Sequence, residues 1–211
     1  MFVEPLLNRR PGSPPQGWIE VICGSMFSGK TEELIRRINR VLIAGRAVQV
    51  IKPAIDTRYH PERVVSHQHN HFTAIPVERA TDILPLAKGF DTLAIDEGQF
   101  FDDALPDICN QLANRGIRVI VAGLDKDYEG QPFPPMPALM SIAEFVTKVH
   151  AVCVHCGSIA AFSHRLSSES DPILLGAQHQ YEPLCRMCYQ QARETKPNEK
   201  ATYKEHPFTT Q

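Results

Sequence analysis

The 211-residue sequence has no apolar run long enough to cross a membrane, which argues against a helical integral-membrane protein. It also lacks an excess of either charge: 22 Lys and Arg stand against 24 Asp and Glu, for a formal net charge of −2. Without a basic field, no general affinity for nucleic acid or anionic membrane is expected. Residues 1–16 carry Arg9 and Arg10 but no apolar core behind them, so they do not read as a secretory signal. Pro11, Pro14 and Pro15 suggest that residues 1–17 are a flexible leader with no fold of their own. The expected compartment is therefore the cytoplasm, where disulfides are not expected. Four of the six cysteines fall into two C-x-x-C pairs, which favours metal, while Cys23 and Cys109 lie in apolar stretches and read as core.

What is present is organised around Gly24-Ser25-Met26-Phe27-Ser28-Gly29-Lys30-Thr31, which fits G-x-x-x-x-G-K-[ST] throughout. Residues 19–23 before it are apolar and short enough for a buried strand. Residues 32–44 after it place Leu34, Ile35, Ile38, Val41 and Leu42 on one helical face, and Gly45 stops the helix. Strand, glycine loop and helix together form a phosphate-binding context. The loop amides point inward at phosphate oxygens, and the new helix adds its positive end. Lys30 would reach the β- and γ-phosphates, and the Thr31 hydroxyl would take a magnesium position.

Further along, residues 47–52 alternate as a second strand, and residues 53–71 lose periodicity. His67, His69 and His71 alternate there, a pattern read as solvated rather than metal-binding. Residues 72–77 read as a strand and residues 80–88 as a short helix interrupted by Pro85. Residues 92–95 form an apolar strand leading into Asp96-Glu97. A strand ending in an acidic pair suits a phosphate-loop enzyme. Asp96 can hold magnesium through water, and Glu97 can face the γ-phosphate. A helix over 102–115, a strand over 117–124, a helix over 138–145 and a strand over 147–153 complete a mostly parallel α/β series. Residues 125–137, with four prolines, read as a lid or substrate loop.

Cys153-Val-His-Cys156 and Cys185-Arg-Met-Cys188 each place two thiolates on a tight knuckle. Meeting, they would form a closed four-sulfur zinc site that is structural, with His155 a bystander. Twenty-eight residues separate Cys156 from Cys185, more than a small zinc ribbon needs. The excess, about 162–181, reads as a loop pinned at its base by the metal. A short helix follows from 188 to about 193, and 194–211 read as a disordered tail.

The segments G-S-M-F-S-G-K-T, D-T-R-Y, D-E-G-Q-F-F, G-L-D-K-D-Y and P-M-P-A-L-M, together with the paired C-x-x-C, resemble the zinc-containing type of thymidine kinase over residues 18–192. The resemblance implies a RecA-like phosphate-loop domain over 18–150 and a zinc-ribbon lasso domain over 151–193. It implies ATP and phosphate contacts from Gly24 through Thr31, from Asp56 and Arg58, from Asp96, Glu97, Gly98 and Gln99, and from Arg165. Glu97 would be the catalytic base. Met26, Phe100, Leu124, Tyr128, Phe133 and Ser163 would wall the thymine pocket. Pro172, Ile173, Leu174, Leu175, Gly176 and Tyr181 would form a lasso holding the pyrimidine edge. Structural zinc, magnesium with ATP, a homotetramer and feedback inhibition by thymidine triphosphate are implied with it. Tyr128 stands where phenylalanine is common, Glu129 where a basic residue is often seen, and Pro134 where glycine often follows the phenylalanine.

Two other readings share these motifs. One is an ATPase gripping nucleic acid through its zinc ribbon. Arg165 and Arg186, balanced by Glu169, Asp171 and Glu182, give it no basic stripe. The other is a zinc-ribbon interaction protein with a vestigial loop, against which Lys30, Thr31, Asp96 and Glu97 are all intact.

Overall fold

The computed structural model describes residues 16–56, 63–65, 71–166 and 180–194. The chain opens with β1 (Trp18–Gly24), buried along its whole length, and runs through the glycine loop into α1 (Lys30–Ile43). The helix begins two residues earlier than the apolar pattern indicates, because Gly29 in a left-handed conformation (φ 82°) turns the chain straight into it. Leu34, Ile35, Ile38 and Val41 are buried, but Leu42 is 47% exposed and is not part of that face. Arg37 takes an inward place instead.

Next come β2 (Val48–Pro53), the antiparallel pair β3 (Arg63–Val65) and β4 (His71–Thr73), and β5 (Ile75–Val77). Residues 72–77 are thus two strands, broken at Ala74, and only the second joins the main sheet. A 3₁₀ turn (Ala80–Asp82) leads into α2 (Ile83–Leu86). Pro85 does not interrupt this turn, since first-turn amides have no helical acceptor to lose. Then follow β6 (Thr92–Ile95), a 3₁₀ turn (Gly98–Phe100), α3 (Leu105–Asn114) and β7 (Arg118–Leu124). The Asp102 carboxylate accepts from the amides of Ala104 and Ala80, which leaves residues 102–104 as the approach to α3.

The helix α4 (Met136–Ile142) ends before the sequence pattern indicates, and Phe145 opens β8 (Phe145–Lys148). Here tertiary pairing overrides the local pattern. Residues 145–148 lie parallel to Glu20–Cys23, and the Glu144 carboxylate accepts the Ile19 amide at 2.6 Å. Continuing the helix would forgo that ladder.

The six-stranded sheet runs β5-β2-β6-β7-β1-β8, with every pairing parallel, as the βαβ series predicts. All six strands therefore end at one edge. Ile19, Val21 and Cys23 bury against the α3 and α4 side, with Cys109 in the same core; Ile22 packs against α1. One buried charge cluster lies under α1. Glu20, on β1, receives Arg37 Nη1 at 2.7 Å, Arg118 Nε at 2.7 Å and the Trp18 indole N–H at 2.6 Å.

After β8 the chain leaves the sheet. Residues 147–153 are not one strand, because the Val149 amide bonds back to the Cys23 carbonyl and a new lobe starts at β9 (Ala151–Val152). That lobe comprises β9 and β10 (Ile159–Ala160), the antiparallel pair β11 (Phe162–Arg165) and β12 (Tyr181–Leu184), and α5 (Arg186–Glu194). Its small core joins Ala151, Ala160, Leu184 and the stacked rings of Phe162 and Tyr189, with centroids 4.5 Å apart. Phe27, from the glycine loop, packs against this core.

Candidate active site

The glycine loop is shaped by two close approaches. Gly24, at φ 154°, passes so near β8 that a Cβ there would lie 2.2 Å from the Val149 carbonyl oxygen. Phe27, at φ 61°, and Gly29 are both left-handed, which curls the loop over the start of α1. The Ser25 carbonyl accepts from both Ser28 Oγ and Lys30 Nζ at 2.7 Å, so the ammonium lies across the loop's concave side.

The acidic pair closes the site from across the sheet. Strand β7 separates β6 from β1, yet Thr31 Oγ1 reaches Asp96 Oδ2 at 3.3 Å. A hydroxyl and a carboxylate aimed at each other beside a phosphate loop are a hard-oxygen donor set that fits magnesium. Glu97 is left-handed at φ 53°, and its amide donates to Asp96 Oδ1 at 3.0 Å. Such backbone strain in a non-glycine residue persists only where its surroundings enforce it. Gln99 is buried behind it. Its side-chain Nε2 donates to Glu97 Oε2, and its Oε1 accepts the Leu124 amide.

At the same edge, Asp125 lies buried between two lysines, with Lys148 Nζ at 2.5 Å and Lys126 Nζ at 3.4 Å. Burial opposes its ionisation, but the bond from Lys148 and the two positive charges outweigh it and hold the carboxyl below the ordinary aspartate range. The same carboxylate raises the Lys148 pKa. In the sequence Asp125 reads only as part of the G-L-D-K-D-Y segment and the 125–137 loop, and Lys148 only as part of a strand; neither is assigned a site role there.

The second lobe supplies the facing wall. The Met26 amide donates to Ser163 Oγ at 2.9 Å, which ties β11 to the glycine loop. Arg165 is buried with its guanidinium carbon 3.7 Å above the Tyr128 ring, and it donates to the Tyr181 hydroxyl at 2.9 Å through Nη2. Tyr128 is fixed in turn, since its carbonyl accepts from Tyr189 Oη at 2.7 Å. Residues 125–137, read as a lid, are pinned at this base: Lys126 pairs with Pro132, and the Asp127 carboxylate accepts the amides of Glu129 and Gln131. Phe100 and Phe133 meet edge to face at 6.2 Å.

The residues assigned from sequence thus fall into three clusters at one sheet edge: the loop Gly24–Thr31, the turn from Asp96 to Phe100 with Leu124, and the wall of Tyr128, Ser163, Arg165 and Tyr181. Asp56 follows β2, where its carbonyl accepts from the buried Lys52 ammonium at 2.9 Å. Arg58 and the segment Pro172, Ile173, Leu174, Leu175 and Gly176 lie outside the described residues, as do His67 and His69.

Behind the wall, the sulfurs of Cys153, Cys156, Cys185 and Cys188 all lie within 4.8 Å of one another, and Cys156 Sγ is 3.6 Å from Cys185 Sγ. Zinc–sulfur bonds of about 2.3 Å place tetrahedral sulfurs about 3.8 Å apart, so the cluster fits zinc. The knuckle backbone is wound to suit, with the Gly157 amide bonded to the Cys153 carbonyl and the Cys188 amide directed at Cys185 Sγ. His155 turns away toward Glu182.

A family model described as "Thymidine kinase" matches residues 17–189. The chain belongs to the thymidine kinase family. It is similar to a thymidine kinase of Bacteroides fragilis, with 58% identity over 177 residues, 84% of this chain and 89% of that one. A thymidine kinase of Rhodothermus sp. is 55% identical over 195 residues, covering 92% of this chain and 91% of its own. One from Porphyromonas gingivalis is 51% identical over 182 residues, covering 86% and 89%. The matched residues 17–189 span both the phosphate loop and all four clustered cysteines. The nucleic-acid ATPase and the vestigial-loop protein are therefore set aside.

Proposed function

We propose that this protein transfers the γ-phosphate of ATP to the 5′-hydroxyl of thymidine, and also of deoxyuridine, giving the deoxynucleoside monophosphate in pyrimidine salvage. The observation that carries the reading is Glu97. Its strained backbone holds a carboxylate directly after Asp96, the residue that Thr31 of the phosphate loop reaches, which supports a base beside the phosphates.

Phosphoryl transfer needs in-line placement and charge neutralisation more than covalent help. The amides of the loop from Gly24 through Thr31, other than that of Met26, supply hydrogen-bond donors around the phosphates, and Lys30 and Arg165 supply positive charge. Thr31 and Asp96 would hold magnesium, which supplies further charge neutralisation. Glu97 accepts the proton of the 5′-hydroxyl as the oxygen attacks, a task that needs only an ionised carboxylate within hydrogen-bond reach. Asp56 and Arg58 join the phosphate side. Met26, Phe100, Leu124, Tyr128, Phe133, Ser163 and Tyr181 enclose the base, and residues 172–176 close over it.

Two domains follow from this division of labour: an ATP-binding domain over 18–150 and a nucleoside-binding zinc lobe over 151–193. The four cysteines hold zinc as a structural pin. A homotetramer, inhibition by thymidine triphosphate and a cytoplasmic location follow from the family reading. The direct test incubates the protein with labelled ATP and a panel of deoxynucleosides. Label appearing in thymidine monophosphate supports the proposal. Transfer confined to other nucleosides, or to none, overturns it.

A further inference from the structure

The structure assigns Gln99 a positioning role: it is a bracket that holds the Glu97 carboxylate in its working orientation. This inference rests on Glu97 being the base of the proposed reaction. Sequence reasoning grouped Gln99 with the nucleotide contacts, but its polar atoms are turned inward. The side chain is buried, at 3% exposure, and both ends of its amide are engaged within the protein. The Leu124 amide can only donate, so at 2.9 Å it must face the Gln99 oxygen. That fixes the amide's orientation and leaves its NH₂ toward Glu97, where Nε2 meets Oε2 at 2.5 Å. A carboxylate can only accept there, so the polarity is right at both ends. The hydrogen bond to a charged acceptor is of the stronger kind.

The surroundings are shaped for this bracket. Gly123 precedes Leu124 on β7, and a Cβ there would stand 2.8 Å from Gln99 Oε1 and 2.6 Å from Met136 Sδ. A Cβ on Gly98 would stand 2.7 Å from Val121 Cγ1. Gly123 thus leaves the room the amide occupies, Gly98 lets the turn pass close to β7, and the buried Met136 lies against both glycines. Glu97 itself sits on a left-handed residue at the head of a 3₁₀ turn, closed by the Phe100 amide on the Glu97 carbonyl at 3.0 Å. That turn fixes the Glu97 backbone but not its side chain. Gln99 couples the carboxylate to β7, a central strand, and thereby to the rigid sheet.

A residue that acts through Glu97 must lose its effect when Glu97 is no longer a base, and a double-mutant cycle reads this directly. Gln99→Met keeps the length of the side chain and removes both hydrogen bonds. With ATP and thymidine, kcat is expected to fall by about 10–10²-fold, the scale of a misplaced catalytic group, while both KM values stay within about twofold. In a Glu97→Gln background the same change is expected to alter kcat by less than about twofold. Gln99→Glu provides a second arm that keeps an acceptor for the Leu124 amide while setting a carboxylate against Glu97. It should lower kcat in the parent and not in the Glu97→Gln background. Equal losses in both backgrounds would make Gln99 a structural residue or a direct nucleotide ligand and overturn the inference. So would an unchanged kcat in the parent background, or losses seen in KM rather than kcat. A parent protein with no thymidine kinase activity overturns the functional reading and this inference with it. An active parent with additive losses overturns the inference alone.

Discussion

Replacing Glu20 by Leu tests the buried charge cluster that anchors α1, and with it the start of the phosphate loop. Glu20 is fully buried and accepts four hydrogen bonds. Its Oε1 takes the Trp18 indole at 2.6 Å and Arg118 Nε at 2.7 Å, and its Oε2 takes Arg37 Nη1 at 2.7 Å and Arg118 Nη2 at 3.1 Å. Arg37 is equally buried and also reaches Glu33 at 2.8 Å and Thr147 at 2.9 Å. Leucine keeps a side chain of comparable reach but leaves two guanidinium groups near each other with their shared counter-ion gone. Breaking a buried ion pair from one side costs about 3–5 kcal/mol. For a chain of this length each kcal/mol lowers the melting midpoint by about 2–4 °C, so a fall of roughly 6–20 °C is expected. The sole tryptophan, Trp18, sits on the cluster and reports unfolding by fluorescence. Urea titrations of the parent and Glu20→Leu should differ in midpoint at a similar slope. Arg36→Ala is the control. Arg36 pairs with Glu33 on the exposed side of α1, a pair of the kind worth about 0.2–0.5 kcal/mol. If Glu20→Leu lost less than about 1 kcal/mol, or no more than the control, the cluster would not be what holds α1 to the sheet.

The other predictions concern the site itself. Glu97→Gln keeps the size of the side chain but removes the base, so turnover of thymidine should fall by about 10²–10⁴-fold with ATP binding little changed; turnover near the parent rate would refute the assignment. Cys185→Ser should abolish bound zinc and sharply weaken thymidine binding while ATP binding survives; a parent found free of zinc by metal analysis would refute the two-lobe picture. Gly123→Ala should displace Gln99 or Met136, because its Cβ would sit 2.8 Å and 2.6 Å from them, and lower kcat more than ATP affinity; a fully active variant would mean the bracket tolerates displacement. The carboxyl of Asp125 has its folded pKa depressed from 3.8, so its contribution to stability is present above that value and is lost as pH falls through the lower folded pKa. Asp125→Asn should therefore lower stability at neutral pH and flatten the acid limb of a melting-midpoint profile; an acid limb parallel to the parent's would refute this.

The phosphate loop and the two cysteine knuckles were legible in the sequence because each is local. A strand, a glycine turn and a helix start within a dozen residues, or two thiolates on one tight turn, constrain the backbone wherever the rest of the chain goes. The parallel sheet was legible for a related reason, since alternating apolar strands and helices leave few other packings. Long-range pairing decided what was not. The sequence pattern carries the fourth helix to Phe145, but pairing with β1 draws that residue into a strand. Glu20 lies within a stretch that reads simply as an apolar buried strand, and only the fold shows that residues 17 and 98 positions away supply its counter-charges. The order of strands was likewise undetermined, and with it the placement of β7 between the loop strand and the acidic pair. Gln99 follows the same logic. Its type and position were plain in the D-E-G-Q run, but the direction its amide faces depends on the Leu124 amide, 25 residues further along. Covalent neighbours set which chemistry the chain carries, while hydrogen bonds and ion pairs between distant segments set how that chemistry is aimed.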